Sequence, residues 1–225
     1  MKSTGTPSHY GLDHHNLRNL QAVHWNLGAA ELVEHVIHHR EGELSAQGAV
    51  IVNTGQHTGR SPNDKFVCRD EAVESEIWWG KVNQPISVDK FNQIFGKVSA
   101  HLQGKVVYVQ DMAAGADPAH SIPIRIISDK AYASLFARDL FIRLSTEKKV
   151  TQTPQFTLIH VPDFYADPQE DDTKSGTFII LNFTKGLVLI GGSSYAGEIK
   201  KAIFTIMNYL MPHTDVLPMH CSANV

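Results

Sequence analysis

Four apolar runs rich in β-branched residues recur through the middle and end of the chain: "GKVVYVQDMAAG" from Gly104, "SIPIRIISD" from Ser121, "FTLIHVPDF" from Phe156 and "TFIILNFTKGLVLIGG" from Thr177. All fall well short of a membrane span and read as strands, the last as two strands around a Thr-Lys-Gly turn. Between and around them lie stretches with helical spacing: "NLGAAELVEHVIHHR" from Asn26, "VDKFNQIFGKVSAHLQ" from Val88, "KAYASLFARDLFIRL" from Lys130 and "IGGSSYAGEIKKAIFTIMNYLMP" from Ile190. Asn26 or Gly28 could start the first helix. The alternation of strand and helix predicts a mixed α/β domain. A length of 225 residues with 42% hydrophobic content allows one sizeable domain or two small ones, and no repeat or low-complexity linker divides it. "AVIVNTG" reads as a strand that delivers the chain into the loop "TGQHTGRSPNDK", and "YADPQEDDTKSG" as an acidic exposed turn region.

The formal charge of −3 gives no global basic field for nucleic acid or anionic lipid, so any anion site must be local. Cys68 and Cys221 are far apart and lack metal-type spacing, which fits free thiols in a reducing compartment and predicts a cytoplasmic protein. The opening "MKSTGTPSHYGLDHHNLRN" is polar and lacks a signal-peptide core. His35, His38 and His39 have the helical spacing of metal ligands, but no cysteine or carboxylate constellation accompanies them, so they read as solvated helix-face histidines.

Three stretches carry chemistry. In "TGQHTGRSPNDKF" the glycines let a backbone approach a ligand, and Arg60 offers a planar fork for a carboxylate or phosphate. No Gly-Lys-Ser/Thr follows, so this is not a Walker A loop, and a structural turn with a surface arginine fits the pattern equally well. In "GGSSYAGEIKK" a glycine-rich turn opens a helix whose N–H groups could meet an anion, with the Tyr195 hydroxyl nearby. Lys200 and Lys201 stand near that positive helix end, where cations are disfavoured; they either snorkel into water or serve an anion or metal. In "VLPMHCSANV" an apolar-flanked His220 is either a satisfied core histidine or a ligand.

"TGQHTGRSPNDKF", "LNFTKGLVLIGGSSYAGEIKKAIFTIMNYLMP" and "LPMHCSANV", in this order, resemble the N-terminal part of ATP-dependent phosphoenolpyruvate carboxykinases, as does "VQDMAAGADPAHSIPIRIISDKAYASLFARDLFIR" between them. The resemblance implies an N-terminal-domain fold of that family, an α/β mixed β-sheet flanked by helices. It implies a polar segment over residues 1–25, ordered in part, and a substrate-binding domain over 26–225. The activity implied is conversion of oxaloacetate and ATP to phosphoenolpyruvate, ADP and carbon dioxide in gluconeogenesis. Arg60 would hold the substrate carboxylate, and Tyr195 would lie beside the substrate or the departing carbon dioxide. Lys201, as a neutral amine, and His220 would ligate Mn2+ (or Mg2+), and Lys200 would neutralise the transferring phosphoryl group or the enolate. Arg60, Lys200, Lys201 and His220 are thus the implied catalytic residues, with Lys201 also touching substrate. ATP would be bound mainly by the protein's own C-terminal domain, whose Gly-Lys-Thr loop this sequence lacks, so the segment alone is expected to bind metal weakly and lack turnover. Asn63, Met112 and the proline-free "FIRLS" depart from the family's pattern. A stand-alone dicarboxylate-binding module and a purely structural α/β domain are the alternatives.

Overall fold

The computed structural model describes residues 2–221, so the "SANV" of the closing motif lies outside the described residues. The elements in chain order are β1 (Lys2–Gly5), β2 (Ala22–Trp25), α1 (Ala29–His38), β3 (Glu43–Leu44), β4 (Val50–Ile51), β5 (Lys65–Arg69) and β6 (Gln84–Ser87). There follow α2 (Val88–Leu102), β7 (Val106–Ala114), β8 (Ile122–Ser128), α3 (Ala131–Leu140), β9 (Ile142–Arg143), α4 (Thr146–Thr151) and β10 (Phe156–Val161). The chain continues through α5 (Pro168–Asp171), β11 (Phe178–Asn182), β12 (Leu187–Gly191) and α6 (Gly197–Leu210). A ten-stranded sheet runs β1-β2-β7-β8-β10-β12-β11-β5-β6, with β9 added beside β7 beyond the end of β2. It is a mixed sheet: β7/β8, β7/β9 and β11/β12 are antiparallel and the other pairs parallel.

Alternation along the central strands loads both faces, as a sheet covered twice requires. Ile179, Leu181, Val188 and Ile190 pack with Ile199, Ile203 and Ile206 of α6 and with Leu32 and Val36 of α1. Phe178, Ile180, Leu187 and Leu189 pack on the opposite face with Phe91, Ile94 and Val98 of α2. The helix starts follow local chemistry: Glu31 accepts the Gly28 N–H at 2.8 Å before α1, and the Ser87 hydroxyl accepts the Lys90 N–H at 3.2 Å before α2.

Several expectations need correction. Residues 2–25 are more than a polar lead-in: β1 and β2 belong to the main sheet, and Leu12, Leu17 and Leu20 are buried. Edge strands need a main-chain ladder more than an apolar run, which is why "KSTG" carried no signal. "AVIVNTG" contributes only β4, which pairs with β3 in a separate two-stranded hairpin, and the strand adjoining the Arg60 loop is β5, which follows it. The acidic "YADPQEDDTKSG" is not wholly exposed. Asp171 is fully buried, receives Lys97 Nζ at 2.7 Å and accepts the Asp167 N–H at 2.9 Å. At the end of α1, His38 and the capping His39 are exposed, whereas His35 is half-buried and its Nδ1 lies 2.9 Å from the Tyr108 hydroxyl. Met112 fills the core, and the Asn63 carbonyl accepts the Gln84 side-chain amide at 3.0 Å. Cys68 is buried, with its thiol pushed up to about 11 by burial, and Cys221 is exposed. Among the described residues no helix is long and apolar enough to cross a membrane.

His15 makes the N-terminal segment acid-sensitive. It is 5% exposed, its Nε2 lies 3.1 Å from the Thr157 hydroxyl, and burial, with help from the Arg125 charge, lowers its pKa from 6.5 to about 4. The unfolded chain therefore takes up this proton first. The stability this histidine contributes is complete above pH 6.5 and is lost as pH falls towards 4, by about 1 kcal/mol per pH unit. Urea midpoints measured from pH 7 to pH 4 should fall less steeply in His15→Gln than in the parent; equal slopes would refute this.

Candidate active site

The topology brings two distant loops together. Strands β8, β10 and β12 are parallel and end side by side, with His160 level with Ser128 and Ile190. The β11/β12 hairpin then reverses direction, and β5 runs parallel to β11. The start of β5, where the Arg60 loop arrives, therefore meets the end of β12, where the "GGSSYAG" turn leaves. Such a crevice, where strand direction and order switch, is where open α/β sheets bind ligands.

The turn after β12 is gripped from both sides. Fully buried His160 lies with Nε2 at 3.0 Å from the Ser193 carbonyl and Nδ1 at 3.1 Å from the Ser128 hydroxyl. A carbonyl only accepts, so Nε2 carries the proton and the neutral ring accepts from Ser128. Burial lowers the His160 pKa, in keeping with that neutral form. The Tyr132 hydroxyl donates to the next carbonyl, Ser194, at 3.0 Å. Tyr195 and Tyr132 line a cavity of 610 Å³ with Ala29, Val33, Phe136 and Thr54. The Tyr195 ring lies over Gly197, where a Cβ would come within 2.4 Å of it.

Two N–H groups at the start of α6 are bonded within the turn itself. The Glu198 N–H donates to the Tyr195 carbonyl at 3.1 Å and the Ile199 N–H to Ala196 at 3.0 Å, because the turn enters the helix already tightly wound. Lys200 and Lys201 occupy the first two turns, four and three residues before Phe204. Lys201 Nζ lies 5.4 Å from the Phe204 ring centre, the His220 ring centre lies 5.7 Å from it, and Lys200 shares a 540 Å³ cavity with Phe204 and His220. His220 is exposed rather than a core histidine.

Arg60 is exposed on a loop that docks against the first turn of α6. The Ser61 N–H donates to Glu198 Oε1 at 2.5 Å. The Thr177 hydroxyl donates to the Gly192 carbonyl at 3.0 Å, so His57 donates from Nε2 to Thr177 at 2.9 Å and accepts the Ser61 hydroxyl at Nδ1, 3.0 Å away. Glu198 is 5% exposed; burial raises its pKa, opposed by the Ser61 N–H and the Arg60 and His57 charges. Burial, then Arg60, lowers the pKa of neighbouring Lys65. The charges of Arg60, His57 and Asp64 all act on the buried Glu198 carboxylate at the α6 terminus, and Lys200 and Lys201 follow it on the same helix, beside Phe204. His57, Tyr132, His160, Thr177 and Glu198 had no signal in the sequence; each matters through a partner distant in the chain.

Among the described residues no group of three or more His, Cys, Asp or Glu is placed to hold a metal ion. Lys201 and His220 offer two nitrogens beside one phenyl ring and no carboxylate. That set alone does not suit Mg2+ or Mn2+, which take mainly oxygen ligands.

A family profile described as Phosphoenolpyruvate carboxykinase matches residues 21–225. Proteins named phosphoenolpyruvate carboxykinase (ATP) are similar: that of Geobacter metallireducens is 48% identical over 216 residues, 96% of this chain and 41% of its own length. That of Bacillus velezensis is 50% identical over 204 residues, 90% of this chain and 39% of its own length. One from Moorella thermoacetica is 49% identical over 216 residues, with 96% and 41% covered. The chain spans about two-fifths of the length of these relatives. With the profile matched over nearly all of it and identity near one half, the chain belongs to the ATP-dependent phosphoenolpyruvate carboxykinase family.

Proposed function

We propose that this chain is the substrate-binding part of an enzyme that converts oxaloacetate and ATP to phosphoenolpyruvate, ADP and carbon dioxide, in the cytoplasm and in gluconeogenesis. The observation that carries this reading is the docking of the Arg60 loop, through Ser61 and Glu198, on the helix that bears Lys200 and Lys201. Arg60 would grip a substrate carboxylate through its fork, and Tyr195 would border the substrate or the departing carbon dioxide. Lys200 would offset charge on the enolate left by decarboxylation and on the phosphoryl group that it receives, a step that depends on fixed positive charge more than on covalent help.

ATP would be held mainly by a C-terminal nucleotide-binding domain, so this segment alone would bind substrate without turnover. Mn2+ or Mg2+ is proposed as the metal of the whole enzyme, with Lys201 and His220 as two nitrogen ligands and carboxylates from beyond the described residues. Calorimetric titration with oxalate, a small dianion, tests the anion site. Binding by the parent and at least roughly tenfold weaker binding by Arg60→Ala are expected from the loss of a charge-assisted pair. Equal heats in the two proteins would remove Arg60 from the site.

A further inference from the structure

We propose that Glu198 is a positioning residue that holds the Arg60 loop in register with the lysine-bearing turn of α6. The inference rests on the carboxylate-binding role proposed for Arg60, and concerns what sets that arginine's place. Three observations carry it. Arg60 itself is exposed and forms no hydrogen bond or ion pair among the described residues, so its own side chain does not anchor the loop. The next residue does: its N–H meets Glu198 Oε1 at 2.5 Å, a contact spanning 137 residues of sequence. Glu198 is itself fixed, 5% exposed in the first turn of a helix whose Ile199, Ile203 and Ile206 are core residues.

A negative charge is favoured at this end of a helix, and a carboxylate accepting a backbone N–H forms one of the stronger hydrogen bonds available to a protein. The second anchor, His57 between the Ser61 and Thr177 hydroxyls, joins neutral partners and reaches only the turn at Gly192. Glu198 is therefore the stronger clip, and it joins two elements that must act on one ligand. Displacing an arginine by 1 Å from a carboxylate loses the paired hydrogen bonds, so a loop clip should control affinity without touching the ligand.

The reach of the acceptor and its charge can be separated. Glu198→Gln keeps an oxygen at the same distance and drops the charge; Glu198→Asp keeps the charge and withdraws the oxygen by one methylene; Glu198→Ala removes both. Amide exchange at Ser61 should accelerate about tenfold or more in the alanine and aspartate variants and stay within roughly threefold of the parent in glutamine. Exchange at Ile203 and Ile206 reports in the same experiment whether α6 is intact. Oxalate affinity should follow the same order, again by about tenfold for alanine. Should the alanine variant fail to fold, the contrast between glutamine and aspartate still decides the matter. An unchanged Ser61 exchange rate in the aspartate variant, or a glutamine variant as loose as aspartate, would overturn the positioning role. A parent protein that binds no oxalate would sink the Arg60 reading alone, and Ser61 exchange would still decide the clip.

Discussion

Arg125→Ala should lower the stability of the protein by about 3–5 kcal/mol, the usual cost of leaving a buried charge without its partner. Arg125 is 0% exposed and stands directly across the β7/β8 pair from Asp111. Its Nε donates to Asp111 Oδ1 at 2.7 Å and an Nη to Oδ2 at 3.1 Å, while the other Nη donates to the Tyr10 carbonyl at 2.6 Å. The guanidinium also lies 5.2 Å from the Trp25 ring and 5.5 Å from that of Tyr10. Removing it leaves Asp111 with the Asn26 side-chain amide at 3.4 Å and the Tyr10 carbonyl without its donor. For a chain of this size the loss corresponds to a melting point lower by roughly 10 °C. The intact pair need not be worth that much, since desolvation offsets most of its attraction. The double variant Asp111→Leu with Arg125→Met should accordingly be less damaged than Arg125→Ala. A single variant within about 1 kcal/mol of the parent would show that the pair is solvated in solution. Protease cutting before Ala22 should rise in step, because Arg125 pins the segment around Tyr10 to the sheet.

That pair shows where sequence reading stops. "SIPIRIISD" reads correctly as a strand, because four of its seven central residues are isoleucine and one arginine does not break a run. Nothing local shows that Arg125 points into the core, since its partner belongs to another strand and its carbonyl acceptors lie more than 100 residues away. The elements with strong periodicity, α2, β7, β8, β10 and the β11/β12 hairpin, were legible for the same reason. β1, β2, β5 and β6 were not, because short strands at the sheet's flanks are specified by what they pair with.

The candidate site divides in the same way. Arg60, Tyr195, Lys200, Lys201 and His220 stand in motifs that draw attention by composition and order. The groups that hold them, His57, Glu198, His160 and Tyr132, were silent because a buried acceptor and a solvated one look identical in sequence. The double glycine of "GGSSYAG" has a packing role that was silent for a related reason: what approaches Gly191 and Gly192 closely is the protein's own Phe178 ring and the Phe164 and Gly176 carbonyls.

Gly192→Ala tests that last point and should cost about 3 kcal/mol or more, through two effects that other glycines separate. Gly192 has φ of +69°, and a Cβ there would lie 2.7 Å from the Gly176 carbonyl oxygen and 2.9 Å from Thr177 Cα, neither of which can swing aside as a side chain would. Gly48 shares the left-handed conformation, with φ of +82°, but a Cβ there meets nothing within 4 Å. Gly48→Ala therefore isolates the conformational term, about 1 kcal/mol. Gly191 has the collision without the left-handed backbone, since its Cβ would come within 2.4 Å of the Phe178 ring and 2.8 Å of the Phe164 carbonyl oxygen. If the double glycine serves close packing, denaturant midpoints should rank Gly48→Ala mildest, with Gly191→Ala and Gly192→Ala both well below it. If the glycines served only an open anion loop, Gly192→Ala would resemble Gly48→Ala in stability and differ only in oxalate binding. The packing account also forecasts where the damage travels. Thr177 donates to the Gly192 carbonyl and accepts from His57, so pushing Gly192 away from Thr177 should loosen the Arg60 loop as well and weaken oxalate binding together with the fold.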